Sequence, residues 1–278
     1  MTLTPPIPLF IDSSARRIFT LYFPACSAGK SSVLLIPPFA DEMNKSRRMY
    51  SELARRLSLN NQNVLLIDLY GTGDSEGLLE DATWQDWLHD IQACLSVLYD
   101  KGAERVSLLG MRTGVLLAAD YLNKFDSKIQ KLLFWQPVID GKVFLNQFMR
   151  LRLAASMMSG DKNKETSKGL KASLDRGETL EIAGYAITPS MASSFESASL
   201  KEFMPDSSLD IAWLDVVASV DKEPPLINRK LVKQWRQAGV NIQYQKVVGM
   251  PFWGSTEIVE IPELLDVSQA FFIEKPDS

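Results

Sequence analysis

The stretch with the clearest chemical potential is a Gly-x-Arg-x-Gly motif at residues 110–114, which follows an apolar run and precedes a helical pattern. Small residues on both sides of the central position allow a strand to turn sharply into a helix, because the two backbones nearly touch there. A serine at the centre of such a turn can act as a nucleophile, but this chain has Arg112. A guanidinium stays protonated and cannot attack a carbonyl. The motif therefore predicts where a site lies and argues against nucleophilic chemistry by the central residue.

The charge of Arg112 needs a negative partner. It would lie at the start of the predicted helix, where the helix dipole disfavours a cation by about 0.3–1 kcal/mol. One alternative is a salt bridge within the protein, and the other is a ligand carboxylate or phosphate held by the guanidinium. We favour the salt bridge, because most such arginines have protein partners. The candidate partners are Asp41, Glu42 and Glu257.

Backbone amides after the apolar run at 32–39 offer a second place for an anion. The run ends in two prolines followed by Phe39 and Ala40. Proline has no N–H, whereas Phe39 and Ala40 can each donate one. We therefore expect part of an anion-binding turn here. The predicted ligand site comprises Phe39, Ala40, Glu42, Arg112, Thr113, Phe252 and Trp253.

A serine hydrolase also needs a base and an acid that orients it. The base should follow the last predicted strand, where residues 250–254 read Met-Pro-Phe-Trp-Gly and contain no histidine. The only histidine, His89, falls among tryptophans on the helix before the motif, and we interpret it as structural. Asp215 and Asp221 are the candidate acids, but an acid with no histidine to orient is just a surface carboxylate.

Other nucleophiles receive little support. Thr113 adjoins Arg112 and has a hydroxyl, but no base is visible for it. Ser75 and Ser255 fall in turns, where serines usually satisfy backbone groups. Cys94 belongs to an apolar helical stripe, and we expect it to be inert. The sequence therefore favours a protein without serine-hydrolase chemistry.

The elements that must position these residues alternate regularly in the first half of the chain. Apolar strand-like runs alternate with helical patterns up to about residue 138. This order predicts an α/β protein with a mostly parallel central sheet and helices on both faces. Residues 18–23 are expected to form an edge strand.

The alternation then stops, which predicts an insertion. A long amphipathic helix at 143–158 and a small hairpin at 179–188 follow. We predict a cap at 141–205, inserted into a core made of 1–140 and 206–278. The cap's apolar stripe could line an acyl pocket, pack on the core or bind a partner protein. The stripe consists of Phe144, Phe148, Met157 and Met158.

Composition limits the classes of partner and compartment. The 278-residue chain is 46% hydrophobic, and its net charge of −4 argues against nucleic acid as a partner. Cys26 and Cys94 fall in different predicted elements, which favours reduced thiols over a disulfide or metal site. We expect no metal and no cofactor. No apolar run is long enough to span a bilayer, and the first residues lack the pattern of a secretory leader, so we expect a cytoplasmic protein.

Three features occur in the order typical of α/β-hydrolases. They are Asp-x-x-Gly-x-Gly-x-Ser-x-Gly at 68–77, the Gly-x-Arg-x-Gly motif at 110–114, and the inserted cap. The chain more closely resembles the bacterial family called exosortase A system-associated hydrolase 2, nearly end to end. The segments that resemble this family are 37–48, 110–114, 135–137, 147–153 and 251–253. The resemblance implies an α/β-hydrolase fold and a locus for exopolysaccharide production and protein sorting.

Two classes of function stay open. The first is a protein without serine-hydrolase chemistry that binds an anionic or acyl ligand near Arg112, or a partner protein of the exopolysaccharide or exosortase machinery. The second is a hydrolase or acyltransferase that acts on an ester or thioester with non-standard catalytic residues.

Overall fold

The computed structural model describes residues 4–27, 29–125, 128–158 and 165–273. Its strands are β1 Ile7–Ser13, β2 Arg16–Phe23, β3 Ser31–Ile36, β4 Gln62–Ile67, β5 Arg105–Met111, β6 Ile129–Trp135, β7 Leu180–Ile182, β8 Tyr185–Ile187, β9 Asp210–Val217 and β10 Ile242–Val248. Eight of them form one sheet in the order β1-β2-β4-β3-β5-β6-β9-β10. The pairs β1–β2 and β2–β4 are antiparallel, and the other neighbours are parallel. The predicted mostly parallel central sheet is confirmed.

Helices cover both faces of this sheet. The helices are α1 Asp41–Leu59, α2 Trp84–Asp100, α3 Thr113–Lys124, α4 Gly141–Met158, α5 Ser167–Asp175, α6 Pro189–Ser197, α7 Leu226–Gln237 and α8 Pro262–Phe272. Apolar residues of α1 and α8 pack on one face, and those of α2, α3 and α7 pack on the other. The central strands are therefore continuous apolar runs, as strands buried on both faces must be. No helix within the described residues is long and apolar enough to cross a membrane.

The edge of the sheet differs from the sequence-based expectation. The prediction that residues 18–23 form an edge strand is wrong, because β2 pairs with β1 on one side and with β4 on the other. The edge is β1, whose outer positions include the exposed Ile7 and Phe10. Its Pro8 is compatible with an edge position, since proline lacks the N–H that an interior strand needs.

Residues between β6 and β9 form the region predicted as a cap. It contains α4, α5, α6 and the predicted hairpin, in which β7 and β8 pair around Ala183 and Gly184. An antiparallel bridge between Asp140 and Ser199 joins the two ends of the region. There Gly141 N–H donates to the carbonyl of Ala198 at 2.9 Å. The division into a core and a separate cap domain at 141–205 stays a prediction.

Candidate functional site

The Gly-x-Arg-x-Gly motif forms the tight connection between β5 and α3. Arg112 has φ 52° and ψ −117°, a backbone conformation that non-glycine residues seldom adopt. A Cβ on Gly114 would lie 2.5 Å from the carbonyl oxygen of Ile36, and one on Gly110 would lie 2.8 Å from that of Gly114. The two glycines are therefore required by close backbone approach, as the sequence predicted. The strained central residue is typical of a nucleophile elbow, although it is an arginine.

The guanidinium of Arg112 pairs with Glu42, one of the three acids proposed from the sequence. Arg112 Nη2 lies 3.0 Å from Glu42 Oε1, and Arg112 Nε lies 3.2 Å from both carboxylate oxygens. The side chains are 18% and 21% exposed, respectively. Asp41 pairs instead with Lys45, one turn further along α1. The favoured alternative, an internal salt bridge, is thus present in the structure.

Burial dominates the electrostatics of Glu42. Loss of solvation raises the pKa of this carboxyl above its usual value, although the attraction of Arg112 acts in the opposite direction. Glu42 also lies in the first turn of α1, where the helix dipole favours a negative charge. The carboxyl therefore takes up a proton more readily than an exposed glutamate, even beside a guanidinium.

The position expected for a base is filled by aromatic side chains. Phe252 and Trp253 lie in a short 3₁₀ turn after β10. Phe252 is buried against Trp135, and the ring of Trp253 lies 5.4 Å from the guanidinium carbon of Arg112. This spacing permits a cation–π interaction. Arg112 is therefore held between a carboxylate and an indole, and no imidazole takes the place of the base.

His89 lies away from this position. Its Nε2 is 3.2 Å from Gln85 Nε2, and its ring packs on Phe125, not among tryptophans as we expected. Phe125 follows the C-terminal end of α3, whereas Arg112 precedes its N-terminus. A helix of this length spans roughly 18 Å. The location agrees with a structural role for His89, which stays a prediction.

The amide of Phe39 already has an acceptor. Phe39 N–H donates to Thr113 Oγ1 at 2.8 Å, and both residues are buried. The sequence suggested that this amide could serve an anion, but in the structure it serves the neighbouring hydroxyl. Ala40, with φ 57°, caps the start of α1. Ligand binding by Phe39 and Ala40 stays a prediction.

Aromatic rings fill the space between Phe39 and the predicted cap. The ring of Phe39 lies 5.1–6.4 Å from five aromatic rings. These rings belong to Trp87, Phe144, Phe148, Tyr185 and Phe195. The remaining cavity has a volume of about 10 Å³, which is about the space needed for one water. There is no room for an acyl chain in this conformation.

The residues of the apolar stripe on α4 differ in burial. Phe144 and Phe148 pack on Phe39, as one of the three readings of the stripe predicted. Met157 is 76% exposed and does not contribute to a pocket. The side chain of Met158 lies outside the described part of the structure.

The two candidate acids have different surroundings. Asp221 is exposed in the turn after β9. Asp215 lies within β9 and is fully buried, so the expectation of a surface carboxylate is wrong for it. Burial raises the pKa of Asp215, although hydrogen bonds oppose the shift. The donors are Tyr244 Oη at 2.7 Å, Asn228 Nδ2 at 2.9 and 3.1 Å, and Trp213 Nε1 at 3.0 Å.

This network of Asp215 was not found from the sequence. Trp213 and Asp215 point to the same face of β9, two positions apart. That spacing was visible in the sequence, but the contributions of Asn228 from α7 and Tyr244 from β10 depend on tertiary packing. The acid therefore orients an amide, an indole and a phenol instead of an imidazole.

Open space near Arg112 lies on the side of the loop that follows β6. A groove of about 260 Å³ is bordered by this loop, the start of α4 and the start of α7. Arg112, Gln136 and Asn228 are among its lining residues. Within the described ranges, no three His, Cys, Asp or Glu side chains are grouped so that they could hold a metal ion.

Solved structures similar to this one cover nearly the whole chain. Est1E from Butyrivibrio proteoclasticus is 13% identical, with a TM-score of 0.65, 95% of this chain covered and 96% of that chain. A carboxyl esterase from Bacillus coagulans is 11% identical, with a TM-score of 0.62 and 97% of both chains covered. A thioesterase domain from the curacin biosynthetic pathway is 14% identical, with a TM-score of 0.57, 98% of this chain covered and 100% of that chain.

These likenesses identify the fold and no more. The sheet order, the helices on both faces and the tight β5–α3 turn are those of an α/β-hydrolase fold. A comparison with curated protein sequences gives no match. Residues 33–177, more than half of the chain, match the family model described as serine aminopeptidase, S33, and the chain therefore belongs to that family.

Proposed function

We propose that this α/β-hydrolase-fold protein has no serine-hydrolase chemistry and acts by binding an anionic or acyl ligand, or a partner protein, near Arg112. The observation that supports this most strongly is the Arg112–Glu42 pair at the elbow. The residue in the position of the nucleophile is a cation that already has a counterion. Such a side chain holds an anion or stabilises the turn, but it cannot form an acyl intermediate.

Three further features support the loss of catalysis. Trp253 occupies the position expected for the base and packs on Arg112. Asp215 is hydrogen-bonded by three side chains that are not histidines. The backbone N–H of Phe39 donates to Thr113 Oγ1 and is therefore not available to an oxyanion.

The biological setting that we propose follows from the sequence resemblance. The segments at 37–48, 110–114 and 251–253 resemble the exosortase A system-associated hydrolase 2 family. We therefore place the protein in the cytoplasm of a bacterium that produces exopolysaccharide, with residues 141–205 as the cap over the site. The ligand site comprises Phe39, Ala40, Glu42, Arg112, Thr113, Phe252 and Trp253.

The second candidate function is that of a hydrolase or acyltransferase on an ester or thioester. It is favoured by membership of the serine aminopeptidase family and by the likeness to a carboxyl esterase and a thioesterase domain. Its nucleophile would have to be a non-standard residue, and the candidate is Thr113, which adjoins the elbow. That hydroxyl, however, already accepts the N–H of Phe39.

Ester hydrolysis by the purified protein tests the proposal. We expect no turnover of short- and medium-chain p-nitrophenyl esters above that of a heat-denatured control, and no labelling by a fluorophosphonate probe. Arg112→Ser restores a hydroxyl to the elbow, and we expect it to stay inactive, because Trp253 replaces the base that a serine needs.

The contrary result is equally clear. Wild-type turnover that survives stringent purification and disappears in Thr113→Val would establish the hydrolase. Turnover that appears only in Arg112→Ser would show that a base and an oxyanion hole remain functional, which the proposal denies.

A further inference from the structure

The groove beside Arg112 has free hydrogen-bonding groups. Arg112 uses Nε and Nη2 to bind Glu42, and its Nη1 has no hydrogen-bond partner among the described residues. Within the same residues, Trp235 Nε1 is the only side-chain N or O atom that is both shut off from solvent and unpartnered. Arg112 Nη1 is therefore accessible, and Arg112 lines the groove. One edge of the guanidinium serves the protein, and the other is open to a ligand.

Gln136 contributes a second donor. Its Oε1 accepts the N–H of Val216 at 2.6 Å, and its own N–H donates to the carbonyl of Leu214. The side chain thus continues the β6–β9 ladder beyond the end of β6, where Gln136 has φ 44°. Because the side-chain amide oxygen accepts from a backbone N–H, the side-chain NH₂ group is the part of Gln136 that can donate to a ligand. Gln136 lines the groove next to Arg112.

Asn228 contributes an acceptor. Its Nδ2 donates to both oxygens of Asp215, at 2.9 and 3.1 Å. A carboxylate requires a donor, so the amide orientation is determined, and Oδ1 is left without a donor among the described residues. Asn228 also lines the groove. Arg112, Gln136 and Asn228 thus all line the groove, and each keeps one polar group unused among the described residues, two donors and one acceptor in all.

The remaining lining is largely apolar. Val138, Ile139 and Phe144 form a buried floor, while Val143 and Ile227 are 52% and 45% exposed at the opening. A volume of about 260 Å³ holds roughly nine non-hydrogen atoms, since a water-sized group takes up about 30 Å³. Lys201 at the rim is already paired with Asp140 at 3.0 Å.

We infer that the groove binds a small monocarboxylate with an apolar tail of roughly six or seven carbons, its carboxylate on Arg112 Nη1 and the Gln136 amide. The tail would lie along Val143 and Ile227. A monoanion fits better than a phosphate dianion, because Glu42 already neutralises the single charge of Arg112. This inference rests on the proposed binding function, but of the seven residues proposed there as the ligand site it keeps only Arg112. It places the ligand on the side of Arg112 opposite Glu42, away from the filled space at Phe39.

Calorimetric titration of the full chain with octanoate tests the inference, with 1-octanol and acetate as matched probes. We expect saturable, one-to-one octanoate binding that is about tenfold or more tighter than that of either matched probe, because octanol lacks the charge-assisted hydrogen bonds and acetate lacks the tail. Gln136→Glu keeps the oxygen that accepts Val216 N–H and removes the NH₂ donor, so it should weaken octanoate binding about tenfold and leave octanol unchanged.

A matched pair of variants on α4 locates the site. Val143→Asp places a negative charge at the groove, whereas Leu151→Asp makes a comparable change on the same helix at a residue that is 51% exposed and does not line the groove. We expect Val143→Asp to weaken octanoate binding about tenfold or more and Leu151→Asp to leave it within twofold. Equal affinity in both variants, equal affinity for octanol and octanoate, or no saturable octanoate binding at millimolar concentration would overturn the inference.

The two proposals can fail separately. A chain that neither binds octanoate nor hydrolyses esters contradicts the groove inference and leaves the non-catalytic proposal intact. A chain that turns over p-nitrophenyl esters contradicts the non-catalytic proposal, whatever its affinity for octanoate.

Discussion

Breaking the Arg112–Glu42 pair from either side should have opposite pH signatures. Removing one partner of a fully buried pair costs about 3–5 kcal/mol, and an exposed pair contributes about 0–1 kcal/mol. With side chains 18% and 21% exposed, Glu42→Gln and Arg112→Gln should each cost about 2–3 kcal/mol at pH 7. For a chain of this length this is a fall in Tm of about 4–6 °C.

The pH dependence follows from the raised pKa of Glu42. A carboxyl whose pKa is raised on folding binds protons more readily in the folded state, so its contribution to stability falls as pH rises through that window. Arg112→Gln removes the attraction that holds this pKa down, which raises it further, so the deficit of this variant grows from pH 5 to pH 8. Glu42→Gln does not titrate at this position, so its deficit shrinks over the same range.

Urea unfolding of wild type, both single variants and the double variant at pH 5.5 and pH 8 measures these quantities. Asp41→Asn is the control, because Asp41 is 54% exposed in its pair with Lys45 and should cost less than about 1 kcal/mol. Deficits of both single variants below about 0.5 kcal/mol, or deficits that change with pH in the same direction, would refute this account of the pair.

Two further predictions concern the elbow and the buried acid. Gly114→Ala should destabilise the protein by about 3 kcal/mol or more, because its Cβ would lie 2.5 Å from the Ile36 carbonyl oxygen. The control Gly254→Ala, with no atom within 4 Å of the new Cβ, should change stability by less than about 0.5 kcal/mol. Thermal melts that rank the two variants equally would contradict the close-approach argument. Asp215→Asn should cost more stability at pH 5 than at pH 8. Burial raises the pKa of Asp215, so the contribution of this carboxyl to wild-type stability falls as pH rises. A deficit in urea unfolding that is constant between these pH values would show that Asp215 has an ordinary pKa.

Much of the fold could be predicted because its signals are local. Two glycines at fixed spacing around Arg112 can be read from the sequence, and the steric reason for them is visible in the structure. The apolar runs of the central strands identify a sheet buried on both faces. The outer strand β1 was missed because Pro8 lies within its short apolar run, and a proline argues against a strand in the interior of a sheet.

The site was less predictable because it depends on side-chain direction across long separations. Asp41 and Glu42 are adjacent in sequence, and only the start of α1 decides that Glu42 faces Arg112 while Asp41 pairs with Lys45. The engagement of Phe39 N–H by Thr113 joins residues 74 positions apart. No sequence pattern reports whether a hydroxyl rotates toward an amide.

The bridge between Asp140 and Ser199 has a consequence for the order in which the chain can fold. Pairing β6 with β9 requires closure of a loop of roughly 74 residues. If the region between them folds first and the bridge closes its ends, the loop that remains flexible shrinks to roughly 16 residues. The entropic cost of closing a loop grows with the logarithm of its length. Folding of the region before the pairing of β6 with β9 therefore lowers the entropic barrier to that pairing by about 1 kcal/mol. A region that interrupts the sheet in sequence would then help to assemble it.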